Sequence, residues 1–287
     1  MSLSAVREGL LDFAWGAWAG MGPKALAPPT PWVVDPEPLL ILTSGLIKHD
    51  RRLQEVALDW IADSSTRISQ ARLRNLSMRW KPSGLDTLTS PLKREQSESQ
   101  TNRDNSISQR PGAFGLRLRA SLGLGARTEI LRALISNVVP TPATALALAN
   151  EAGYQKRSVA DALAGLVMGG ALTADLEGNT FRYRLEHASQ WQSIFGPVPG
   201  EGVSFLAAAR STLTLWSILE IASDESPAVR SVEARRAIEA ALPDLRSLSL
   251  RPPDPPPGES AWQPVLSWTE ELLTWLRTGG RRPRALL

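Results

Sequence analysis

Arg67, Gln70, Arg72, Arg74, Asn75 and Arg79 recur within one short stretch of the chain. Guanidinium and carboxamide groups are the side chains that pair with guanine and adenine edges. A helix bearing Gln70, Arg72, Asn75 and Arg79 at helical spacing therefore has a base-reading composition, with Arg67 and Arg74 as flanking DNA-contact candidates. The competing reading of the same residues is the solvated face of a helical bundle. Other chemistry is poorly served. Without cysteine there is no thiolate nucleophile, disulfide or Cys-ligated metal. The two histidines, His49 and His187, lie too far apart in sequence for a local ligand pair. Glu186-His187 offers a general-base pairing that is more simply incidental. Gly123 and Gly125 begin a dinucleotide fingerprint, but position 128 is Thr and no Lys-Ser/Thr follows. The expectation is a protein with no catalytic residues, no metal and no cofactor.

Residues of this kind must be held by a scaffold, and 287 residues at roughly 150 per domain suggest about two domains. A hydrophobic content of 43% can supply their cores. Positions 1–34 start with Leu10, Leu11, Phe13, Trp15 and Trp18 and then break at Pro23, Pro28, Pro29 and Pro31, which predicts a short helix in a docking arm. Asp35-Pro36, a cap residue followed by proline, opens a buried helix, with further helices over about 52–62 and 69–80. Residues 1–80 thus read as a helical N-terminal domain. Residues 81–113 are nearly devoid of apolar side chains and read as a flexible linker. A central unit spans 114–196, and 197–287 reads as a helical C-terminal region. Its Trp-bearing helices, 205–221 and 262–276, are the expected dimer or partner interface. The apolar stretches Phe13–Pro23 and Pro38–Ile47 are shorter than the roughly 20 residues of a membrane helix. The N-terminus carries Glu8 and Asp12 where a secretory leader would be basic, so the expected location is the cytoplasm, away from membranes.

The central unit is the best defined. Ile130, Leu131, Leu134 and Ile135 make one helical stripe, Thr141-Pro142 to Gly153 frames a second helix, and Val159, Leu163, Leu166 and Val167 line a third over about 157–168. Two alternating runs, 171–176 and 180–185, meet at Gly178-Asn179, a hairpin signal because both positions tolerate positive φ. Three helices and a hairpin in this order resemble a winged helix-turn-helix domain, and positions 145–172 are similar to the corresponding part of bacterial regulators of the ArsR and MarR type. The resemblance implies that the third helix enters the major groove and that the hairpin touches DNA backbone or minor groove. Carried onto this chain, it makes Gln155, Lys156, Arg157 and Ser158 base or phosphate contacts and Arg182 and Arg184 phosphate contacts. Winged helices also serve as protein-docking modules, and Asp161, Asp175 and Glu177 would repel phosphate.

The fold expected is mainly α: a helical N-terminal domain, a central winged helix of three helices plus hairpin, and a helical C-terminal region. The function expected is sequence-specific binding of double-stranded DNA, as a homodimeric transcriptional regulator. The alternative is a protein-interaction module, an antitoxin or an accessory subunit of a defence or DNA-processing complex, that binds an enzyme partner. Net charge is only +3, but residues 43–82 carry eight basic and four acidic side chains, a local concentration compatible with a polyanion.

Overall fold

Ser2 accepts a hydrogen bond from the Ala5 amide and so starts α1 (Leu3–Met21). The computed structural model describes residues 2–23, 25, 27–80, 84–94, 107–199, 202–256 and 259–286. The apolar residues of α1 are not confined to one stripe. Val6, Leu10, Phe13, Ala14, Ala17 and Trp18 are all fully buried, so the helix lies inside a core rather than on it. At Gly9 a Cβ would sit 3.3 Å from Leu273 of α13 (Trp262–Thr278), which is how closely the two helices approach. On other sides α1 meets α2 (Pro36–Leu46), through a Trp18 Nε1 to Thr43 Oγ1 bond of 3.0 Å, and α11 (Phe205–Ile221), through Phe13 and Phe205 with ring centroids 5.5 Å apart. Trp32 donates to the carbonyl of Leu276 at 2.8 Å. The helices α3 (Arg52–Ser64), α4 (Gln70–Trp80) and α5 (Leu85–Arg94) complete one flank, and α12 (Pro227–Ser247) packs on α11. Both ends of the chain therefore fill a single core.

Three expectations are corrected here. The N-terminal segment is no docking arm with a short helix: Pro23 and the later prolines lie beyond α1, and small residues such as Gly9, Ala14 and Gly16 let neighbours surround it. The Trp-bearing helices α11 and α13 do not present their tryptophans to a second copy, because Trp216, Trp268 and Trp275 are buried within the chain. The stretch expected to be a linker is in part ordered. Leu88 and Leu92 anchor α5 in the core, and Val34 donates to the carbonyl of Gly112 at 3.0 Å on the way into the next helix. Residues 81–83 and 95–106 of that stretch lie outside the described residues.

A second core is built from α6 (Phe114–Leu122), α7 (Ala126–Ile135), β1 (Ala143–Thr144), α8 (Ala145–Ala152), α9 (Lys156–Met168), β2 (Leu172–Glu177), β3 (Thr180–Leu185) and α10 (Ala188–Phe195). Thr144 caps α8 by accepting from the Ala147 amide at 3.1 Å. Gly153 ends it in the left-handed conformation, φ +69°, that a side chain would resist. The strands form an antiparallel sheet in the order β1-β3-β2. In the hairpin Leu172, Ala174 and Leu176 stand opposite Leu185, Tyr183 and Phe181. The molecule is thus mainly helical, with one small three-stranded antiparallel sheet. Among the described residues no helix is long and apolar enough to cross a membrane.

Candidate functional site

Seven charged side chains meet where the two cores touch. Asp35 and Glu37 come from the start of α2, Arg72 from α4, Arg119 from α6, Glu129 and Arg132 from α7, and Glu151 from α8; all are buried. Arg72 grips both oxygens of Asp35, reaches Glu37 Oε2 at 2.7 Å, and donates Nε to the carbonyl of Ala152 at 2.6 Å. Arg119 holds Glu37 with two bonds of 2.8 Å and Glu129 with a third. Arg132 links Glu129 at 2.8 Å to Glu151 at 2.9 Å. Glu37 Oε1 also accepts from the Ser69 amide, and the second oxygen of Glu151 accepts from the Ser204 hydroxyl. Burial alone would raise the pKa of Asp35, but Arg72 and then Arg132 outweigh it and hold the carboxyl well below the usual range. In Glu129 burial is likewise overcome by Arg119, Arg72 and Arg132. Four carboxylates against three guanidiniums leave the cluster one negative charge in excess.

This network decides what α4 can do. Arg72, expected on a DNA-facing surface, has no exposed area, because its guanidinium is the hub of the cluster. Asn75 points the same way and donates to the carbonyl of Gly153 at 3.5 Å. A Cβ at Gly153 would lie 3.1 Å from Arg72 Nε and 3.3 Å from Leu76, and Ser69 Oγ is 2.8 Å from the hydroxyl of Tyr154. The helix α4 therefore buttresses the turn between α8 and α9. Gln70 donates to the carbonyl of Leu92 at 3.3 Å, and Arg74 shares a groove with α5. Arg67 is half-buried, its pKa lowered by burial, and lines a cleft of about 680 Å³ with Arg117. Only Arg74 and Arg79 of this set are both exposed and without a hydrogen bond or ion pair among the described residues. The six do not form one surface.

The residues at the start of α9 are all accessible. Gln155, Lys156, Arg157 and Ser158 are consecutive and exposed, and their side chains make no hydrogen bond or ion pair among the described residues. Val159, Ala162, Leu163 and Leu166 bury the opposite face, so the first turn is held rigidly outward. The hairpin arginines are in a different state. Arg182 is 2.8 Å from Glu177, and Arg184 is 3.6 Å from Asp175, so each hairpin arginine is already paired on the polar face of the hairpin. The other face runs from Leu172 in the core out to Leu176 and Phe181, which are 65% and 53% exposed.

Among the described residues no cluster of His, Cys, Asp or Glu could hold a metal ion. The ionic cluster escaped sequence reasoning, although Arg119 between Leu118 and Ala120, and Glu151 beside Ala152 in an apolar helix, interrupt apolar patterns in a way that marks buried charge. No family model, no curated protein and no solved structure matches the chain.

Proposed function

We propose that the chain is a sequence-specific double-stranded DNA-binding protein, a binding protein rather than an enzyme, and that residues 114–196 act as a winged helix-turn-helix domain. The element order α7-β1-α8-α9-β2-β3 with the sheet order β1-β3-β2 supports this reading. The observation that carries it is the first turn of α9: four adjacent hydrogen-bonding side chains, exposed and uncommitted, on a helix whose other face is locked into a core. Arg157 and Gln155 suit guanine and adenine edges, and Lys156 and Ser158 suit phosphates. Transcriptional regulation is the role that such readout serves, and a palindromic operator would be met by two copies of the chain related by a two-fold axis. The test is selection of bound duplexes from a random library, followed by fluorescence anisotropy. Enrichment of a defined motif supports the reading, and absence of binding even at low salt refutes it.

A second reading is favoured by the hairpin. Leu176 and Phe181 face each other across the strands and both project into solvent, an arrangement better matched to an apolar protein surface than to phosphates. On this reading the unit docks an enzyme partner, as an antitoxin or accessory subunit would. Replacing both residues by Ser distinguishes the two: DNA affinity falls if the hairpin lies on the duplex, and survives while a stoichiometric partner is lost if it docks a protein.

A further inference from the structure

The helices α2, α4, α11 and α12 do not close completely against one another. Between them is a cleft of about 510 Å³, a size typical of small-molecule sites. Its walls combine apolar surface from Leu213 and Pro243 with two tryptophans, Trp80 at the end of α4 and Trp216 on α11. Two ion pairs border it: Lys48 Nζ lies 2.6 Å from Glu220, and Arg210 grips both oxygens of Asp244. Each pair cancels its own charge. Arg79 is the remaining cation, exposed and with no ion pair or hydrogen bond among the described residues. The indole N–H groups of Trp80 and Trp216 are buried without an acceptor, and Trp216 as a whole is only 3% exposed. Buried donors left unpaired are costly. The side chains that line the cleft thus carry one positive charge in excess beside apolar surface.

We propose that this cleft binds a small organic monoanion, an aromatic or apolar carboxylate. Its charge faces Arg79, and its body lies against Leu213 and the tryptophan rings. A polyanion such as a nucleoside triphosphate is disfavoured, since Glu220 and Asp244 border the same space. Trp80 is the last residue of α4, the helix that buttresses the α8–α9 turn, so an occupant touches the element that positions α9. Any effect on DNA rests on the DNA-reading proposal, whereas binding itself does not, and it is measured without DNA.

Isothermal titration of the full chain with benzoate and indole-3-carboxylate, and with their uncharged amides, tests the site. At least one acid is expected to bind with one-site stoichiometry and its amide roughly tenfold more weakly or worse. Arg79→Ala, which alters an exposed side chain, should cost roughly tenfold in affinity. Leu213→Ala, which trims a partly buried side chain of the apolar wall, should also weaken binding. Two results overturn the proposal. One is no binding of either acid up to about 10 mM. The other is binding in which acid and amide are equivalent and Arg79→Ala changes nothing.

Discussion

Asp35 occupies the N-cap position of α2, yet its side chain caps nothing and gives its oxygens to Arg72 and Arg132. The exchange makes sense electrostatically. A carboxylate with no exposed area cannot remain charged unless guanidiniums replace its lost water. The consequence is a defined acid response. The folded-state pKa values of Asp35 and Glu129 are lowered, so their contribution to stability is complete above the unfolded carboxylate range, near pH 4, and drains away as the pH falls below it. Urea unfolding at a series of pH values should therefore show stability dropping steeply on acidification below about pH 4. Arg132→Met removes one guanidinium from a cluster already in negative excess and should cost about 3–5 kcal/mol near neutral pH. The same variant should lose less on acidification than the wild type, because the carboxylates beside it are no longer held so strongly ionised. An unchanged acid profile in Arg132→Met would contradict this account.

At the scale of elements, α9 and the hairpin contrast in how their cations are used. Arg157 is uncommitted, so Arg157→Ala should cost about 1–3 kcal/mol and relax discrimination at one or two positions of a selected duplex. Arg182 is tied to Glu177 at 2.8 Å. Glu177→Gln should free it for phosphate, raising affinity for all sequences alike and steepening the salt dependence by about one counterion. Anisotropy titrations at several salt concentrations measure both, and a sequence-selective effect of Glu177→Gln would rule out the phosphate role. The elements of this unit were legible in the sequence because their signals are local: Gly153 and Gly178-Asn179 punctuate the chain, and the stripe of Val159, Leu163 and Leu166 has helical period. The two-residue β1 has no period to read. The helix α4 misled for a physical reason. Arg72 and Arg79 are alike in sequence, seven residues apart, and what separates them is a carboxylate pair 35 and more residues upstream that draws one guanidinium inward. Of the basic residues over 64–81, Arg72 alone answers that pair.

For the whole molecule, the ionic cluster acts as a weld. Asp35, Glu37 and Arg72 belong to elements of the first core and leave one negative charge in excess, whereas Arg119, Glu129, Arg132 and Glu151 belong to the second and balance one another, with Arg119 and Arg132 reaching across to Glu37 and Asp35. Separating the two units would leave an uncompensated buried carboxylate on the first side and strip the guanidiniums of the second of acceptors, so unfolding should be a single cooperative event. Far-UV dichroism reports all the helices, while tryptophan fluorescence reports chiefly the first core, since Trp191 packs against the second. Coincident urea transitions by the two probes are expected, and two resolved transitions would show that the units are independent. The pairing of α1 with α13 carries a further consequence, for the order in which the protein is made. At about 5–20 residues per second, roughly 13–50 s of translation separate the end of α1 from the end of α13. During that interval a helix with 13 of its 19 residues destined for burial is without the neighbour that Gly9 is shaped to receive, so the nascent chain exposes apolar surface until its last helix emerges.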